Sequence, residues 1–373
     1  MIRTKRAHLK LAALTHEGMV GKNNEDRFAV TSYQCSLLDT TPVVFAVIAD
    51  GIGGHLAGEV AAELAVDHIT EVVEASDGHH PLQTLEKAIH IASEAIADHA
   101  SSTTGKEGMG ATCACVWVVG DRLYTAWVGD TRIYLMRDDR IQQLTVDHSW
   151  VQEAVERGIL TPEQARVHPN VHVIHRYLGS PELPEVDFRL RLSKRPGDTL
   201  VENNQGMQLH PGDTLLMCTD GLSDLVWSDE IAEILRTAGT LKQACQTLID
   251  TANQRGGHDN ITVVLLSVPR EDESQVWRKG KRNRLPLILG GIAGLTLGAA
   301  AATVLAVNLI RLPLVRTPTP TASRTTLATA TPSMSRTATR TPAPSLTPSP
   351  LETSSTLTPW PTSTPEASET PTP

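Results

Sequence analysis

The sequence predicts an α+β domain of antiparallel sheets and separate helices, followed by one membrane-spanning helix and an extended tail. Three observations predict it. Strand-length apolar runs come in adjacent pairs across tight turns such as Gly120-Asp121 and Asp138-Asp139, which is hairpin order rather than alternating βαβ order. A segment without any charged residue runs from Leu285 to Ile310 and is long enough to cross a bilayer. Beyond it the chain is almost entirely Thr, Pro, Ser and Ala.

The strands are expected at Val43 to Ala49, Thr112 to Val119, Leu123 to Val128, Ile133 to Arg137, Thr214 to Cys218 and Ile261 to Val268, where apolar and β-branched residues lie between turn signals. Apolar residues recur at helical spacing in Glu59 to Val73, Leu82 to Ala100, Ser149 to Arg157 and Leu241 to Gln254, which predicts amphipathic helices. Residues 1–270 therefore form one globular domain. The five cysteines are scattered without a CxxC pair, as expected of reduced core thiols. Cys113 and Cys115 share one face of a strand. Trp117, Trp127 and Trp150 read as core or rim packing.

Residues 271–284 are a basic linker holding Arg278, Lys279, Lys281, Arg282 and Arg284. Arginines are sparser after the apolar segment 285–310, at Arg311, Arg316 and Arg324. That asymmetry puts the globular domain in the cytoplasm and the tail, 311–373, outside it. No apolar run suited to a signal peptide occupies the first residues, which agrees with that orientation. Gly290, Gly294, Gly298 and Ala302 recur every four residues, a small-residue stripe that lets two copies of the span approach as a homodimer. The tail has too few apolar residues to offset the entropy of ordering and is expected to be disordered. The net charge of −9 lacks the basic footprint of a nucleic-acid-binding protein.

The most informative feature is where the carboxylates fall. Asp50 ends the run VVFAVIA and opens DGIGGH, Asp220 ends TLLMCT and opens DGLSD, and Asp130 follows LYTAWV in GDTR. Asp259 stands in GGHDN just before ITVVLL, and Glu25 and Asp26 precede a further apolar stretch. Gathered at one sheet edge, these groups could not all stay ionised without cations between them. Oxygen-only ligands suit Mg²⁺ or Mn²⁺ better than Zn²⁺. Two such ions could share a water, lower its pKa and direct the hydroxide at phosphorus. No GxxxxGK[ST] loop competes for a phosphate-handling role.

Seven segments, in order, resemble the type 2C metal-dependent protein serine/threonine phosphatases: NNEDRF, ADGIGGHLAGEVAA, GATCA, VGDTRIYLMR, LTVDHSWV, CTDGLSD and GGHDNITVV. They span the chain from about Leu9 to Val268, and Gly158 to Gly179 is similar to the flap of bacterial members. The resemblance implies a four-layer α-β-β-α sandwich of two antiparallel sheets with a dimetal centre at one end. It implies that Asp50 bridges two ions, that the Gly51 carbonyl holds one of them, and that Asp220 and Asp259 hold the other. Glu25 would act through a water with Asp26 beside it, and Asp130 with Asp220 would hold a third ion. His55 is the candidate acid that protonates the leaving serine or threonine oxygen. The implied partners are phosphorylated proteins, among them membrane-bound serine/threonine kinases and their substrates.

One position departs from that pattern. Where the family carries a phosphate-gripping arginine, this chain has Gly21 followed by Lys22. Lysine offers a point charge in place of a bidentate fork. Lys22 is the candidate substitute, with Arg27 and Arg176 as alternatives. His172 and His175 are expected on a polar flap surface. The rival expectations are an inactive domain that docks phosphorylated partners, and a surface protein whose tail is the working part.

Overall fold

The central strand owes its nearly unbroken apolar sequence to being covered on both faces. Strand β4 (Pro42–Ala49) is buried throughout after Pro42. Val44, Ala46 and Ile48 point into the core between two sheets, while Val43, Phe45 and Val47 face the helices. The structure is a computed structural model, and it describes residues 1–270 apart from 22, 54, 55, 104, 105, 107 and 193–203.

The first sheet runs in the order β1 (Ile2–Arg3), β3 (Arg27–Gln34), β4, β7 (Cys113–Val119), β8 (Arg122–Val128) and β11 (Met207–Gln208). The second runs β10 (Arg140–Gln143), β9 (Arg132–Arg137), β12 (Thr214–Cys218), β13 (Ile261–Ser267) and β2 (Lys10–His16). Every pairing in both is antiparallel. The expected turns are present. Gly120 (φ 62°) joins β7 to β8, and Asp138 and Asp139 (φ 48° and 59°) join β9 to β10, the two positive values that a type I′ hairpin requires.

Helices α1 (Leu56–Ala75) and α2 (Pro81–Ser102) cover the outer face of the first sheet. Helices α6 (Ser228–Thr237) and α7 (Leu241–Gln254) cover that of the second. The result is helices, sheet, sheet, helices, the layered arrangement by which two one-faced sheets bury both sides. Trp117 and Phe45 meet edge to face with centroids 5.9 Å apart on the helix side of the first sheet. All five cysteines are buried and free, and Cys113 and Cys115 do share the helix-facing side of β7. Trp117 and Trp127 are core, and Trp150 is half-buried, stacked 4.7 Å from His168.

The register places the site. Arg27 opposes Ala49, Ile48 opposes Ala114, and Cys113 opposes Val128. In the other sheet Cys218 opposes both Arg132 and Val263, and Ile261 opposes His16. The ends of β4, β8 and β12 and the starts of β3, β9 and β13 therefore lie at one end of the sandwich. No helix among the described residues is long and apolar enough to cross a membrane. The segment 285–310, its Gly290, Gly294, Gly298 and Ala302 stripe, the linker 271–284 and the tail 311–373 lie outside the described residues.

Candidate metal centre

At that end, the chain turns each acidic residue toward a cavity of 760 Å³ lined by Glu25, Asp50, Asp130, Asp220 and Asp259. The glycines beside the aspartates are there for space. A Cβ on Gly51 would lie 2.1 Å from the Gly58 carbonyl oxygen, and one on Gly221 would lie 2.1 Å from that of Asn260. Each Asp-Gly pair thus lets two backbone segments cross in contact, which only glycine permits. Gly129 differs in having φ +107°.

The electrostatics of the cavity are those of buried carboxylates crowded together, with Arg132 and His172 offsetting part of the repulsion. Burial raises Asp50 well above the ordinary carboxylate range, and Asp26, Asp220, Asp130 and Asp259 push it further. Asp130 is raised well above that range by burial and then by Asp220 and Asp147. Burial pushes Asp26 up to about 7, although hydrogen bonds from Thr262 and Thr219 oppose the shift. Asp224 rises to about 6 through burial and the neighbouring Asp220.

Asp26 lies beneath the pocket, 2 % exposed. Its Oδ2 accepts from the Thr262 hydroxyl at 2.6 Å and the Thr219 hydroxyl at 2.9 Å. Its Oδ1, and Oδ1 of Asp220, are buried without a hydrogen-bond partner. Buried anionic oxygens left without donors are costly unless something cationic meets them. Together with an almost wholly oxygen donor set, they fit hard divalent cations such as Mg²⁺ or Mn²⁺.

Residues that the sequence reading passed over complete the site. Asn260 accepts from the Glu25 amide at 2.7 Å and donates to the Glu17 carbonyl at 3.1 Å, so it holds the Glu25 loop against Asp259. Thr112 accepts from the Asp50 amide at 3.2 Å and meets the Thr131 hydroxyl at 2.6 Å. The Asp-Asn dipeptide after Gly-Gly was the available signal for Asn260; nothing in the sequence distinguished Thr112.

His172 is exposed on the flap, as expected of a polar flap surface, and it also reaches the acidic site. It lines the cavity, with Nδ1 3.7 Å from Asp220 and 3.6 Å from Asp224, and the three residues form a cluster able to hold a metal ion. The Asp220 carboxylate beside it, with Asp224 behind, raises His172 to about 9. His175 instead pairs with Glu153 at 3.4 Å.

Both arginine alternatives for phosphate binding are committed elsewhere. Arg27 pairs with Glu59 and donates to the Asn24 and Asp26 carbonyls, and Arg176 pairs with Glu185 at 3.0 Å. Gly21 lines the cavity, in a loop rather than a strand. Lys22 and His55 lie outside the described residues.

An antiparallel sandwich between helices, with aspartates from both sheets meeting at one end, is the arrangement that the resemblance to the type 2C phosphatases implies. Residues 16–266 match the protein phosphatase 2C family, and the chain belongs to it. It is similar to the serine/threonine protein phosphatase PstP of Mycobacterium tuberculosis, 32% identical over 77% of this chain and 48% of that protein. The chain thus spans about half the length of that relative. It is also similar to the serine/threonine phosphatase Stp of Listeria innocua, 34% identical over 72% of this chain and 96% of that protein. The solved catalytic domain of PstP in complex with two manganese ions aligns with a TM-score of 0.57 and 32% identity, over 69% of this chain and 97% of that one.

Proposed function

We propose that this chain is a membrane-anchored phosphatase that removes phosphate from phosphoserine and phosphothreonine in proteins. The observation that carries the reading is the convergence of Asp50, Asp130, Asp220 and Asp259 on one cavity, with buried oxygens lacking donors. Asp50, the Gly51 carbonyl, Asp220 and Asp259 would hold a two-ion core, and Glu25 would act through a water. Asp130 and Asp220 would hold a third ion, with His172 of the flap beside Asp220. Bound divalent cations supply an activated water and neutralise the phosphoryl oxygens.

The protein's own residues do the rest. Asp26, anchored by Thr219 and Thr262, sets the negative potential under the core and fixes the Glu25 turn. His55 gives a proton to the departing serine or threonine oxygen. Lys22 donates to the phosphoryl group; a Lys22→Ala variant whose KM for a phosphopeptide is unchanged would remove it from that role.

The basic linker 271–284 and the uncharged segment 285–310 support a single span with the catalytic domain, 1–270, in the cytoplasm and the Thr/Pro/Ser tail, 311–373, outside. In that position its substrates are membrane-bound serine/threonine kinases and the proteins they modify. The stripe Gly290, Gly294, Gly298 and Ala302 supports pairing of two spans.

Phosphate release from a phosphothreonine peptide by the full chain tests the enzyme. Turnover should require Mn²⁺ or Mg²⁺ and vanish with EDTA and in Asp50→Asn. Peptide binding without turnover would instead favour a phosphoprotein-docking domain.

A further inference from the structure

One buried histidine is fixed more completely than core packing requires. His148 is 7 % exposed and lies between β10 and α3 (Trp150–Glu156). Its ring stacks on Trp127, 6.3 Å between centroids and 17° between planes. Its Nδ1 is 3.0 Å from the Gly129 amide nitrogen. A backbone amide can only donate, so Nδ1 accepts and the ring proton belongs on Nε2. Nε2 in turn lies 3.2 Å from Oδ2 of Asp187, which is 4 % exposed. The same carboxylate accepts from the Arg189 guanidinium at 2.5 Å and the Arg189 amide at 2.8 Å.

Gly129 is held twice, because the His148 amide also donates to its carbonyl at 3.0 Å. On the other side of Asp130, Thr131 bonds to Thr112, which bonds to both the amide and the carbonyl of Asp50. Asp130 is therefore bracketed between a histidine clamp and a hydroxyl link to the opposite wall. Gly129 itself cannot be stiffened by a side chain, since a Cβ there would lie 2.6 Å from Thr112. The His148 carbonyl also accepts from the His175 amide of the flap at 2.7 Å.

We propose that His148, locked in its Nε2–H tautomer by Asp187, is a positioning residue that sets the Gly129 backbone and so aims the Asp130 carboxylate at its cation. The inference rests on the reading of Asp130 as a cation ligand. Outer residues that orient a ligand commonly change metal affinity when lost, and here the carboxylate–histidine pair acts on a ligand through the main chain.

The test is Mn²⁺ binding to the full-length chain without substrate, followed by the resonance of free Mn²⁺, in wild type, His148→Ala and His148→Asn. Asparagine can place its amide oxygen where Nδ1 stands and still accept from Gly129. His148→Ala should weaken the weakest Mn²⁺ step at least about tenfold, and His148→Asn should recover most of that loss. Equal isotherms for alanine and asparagine, or wild-type isotherms in both, would overturn the role of His148. A wild-type chain that binds no Mn²⁺ would overturn this inference together with the cation reading. Nitrogen resonances of the wild-type imidazole give a readout independent of any variant. They should show Nδ1 unprotonated, and a protonated Nδ1 would contradict the clamp.

Discussion

Replacing Asp26 with asparagine keeps the shape of the side chain and removes its charge. The asparagine oxygen can take the place of Oδ2 and accept from Thr219 and Thr262, while its amide group occupies the position where Oδ1 now lacks a donor. In the cation-free chain, burial moves the carboxyl of Asp26 from its ordinary 3.8 to about 7. A folded pKa above the unfolded one means that its contribution to stability is whole at low pH and is lost as pH rises through about 7. The loss is on the order of 4 kcal/mol at about pH 8 and on the order of 1–2 kcal/mol at about pH 5. In EDTA, Asp26→Asn should therefore gain on wild type by about 2–3 kcal/mol between those two conditions, or roughly 5 °C in Tm. Thermal melts of both proteins at the two pH values measure it. A Tm difference that does not change with pH would refute the account of Asp26 as a strained, cation-seeking carboxylate.

Three further outcomes follow from the same structure. Because Asp50 and Asp130 are raised by burial and mutual repulsion, Mn²⁺ should raise Tm more at about pH 8 than at about pH 5, where protons compete for the same oxygens. Gly221→Ala drives a Cβ into the Asn260 carbonyl; it should cost about 1–3 kcal/mol in urea melts and weaken Mn²⁺ binding, since the displaced strand end carries Asp259. Burial pushes Asp187 up, but hydrogen bonds from His148 and Arg189 outweigh it and hold the carboxyl at about 2. Its contribution, about 2 kcal/mol, is present above its ordinary value and lost as pH falls through about 2, so the gap between wild type and Asp187→Asn should close on acidification.

The layers and the acidic end of the sandwich were legible because two signals coincide. Apolar runs marked β4, β8, β12 and β13, and an aspartate stood at the site end of each. Antiparallel order then put those ends on one side, with Ile48 of β4 and Trp127 of β8 flanking Ala114 of β7, and Cys218 opposite Val263. Strands β2 and β3 were missed. Their sequences, KLAALTH and RFAVTSYQ, mix polar residues into half-buried faces and show no clean alternation. Helix α6 was missed because its ten residues carry Asp229, Glu230 and Glu233 around a short apolar face. His172 stands exposed on the flap as expected, but its place beside Asp220 was not legible. Its neighbours Val171, Val173 and Ile174 suggest extended structure, whereas the chain turns there, the Val171 and Val173 amides donating to the His168 and Asn170 carbonyls, and sequence does not tell which way a flap folds. The pairing of Trp150 with Val173 and of His175 with His148, which brings His172 over Asp220, is set by tertiary contacts. The His148–Asp187 link spans 39 positions and leaves no local pattern.

The central claim is that the chain brings Asp50, Asp130, Asp220 and Asp259 together in order to hold divalent cations. Crystals grown with Mn²⁺ and measured at the manganese absorption edge test it directly. The account predicts anomalous density among these carboxylates in the wild type, with the peak next to Asp50 lost in Asp50→Asn. A cavity without anomalous density in Mn²⁺-saturated crystals, or peaks only at other places on the surface, would contradict it.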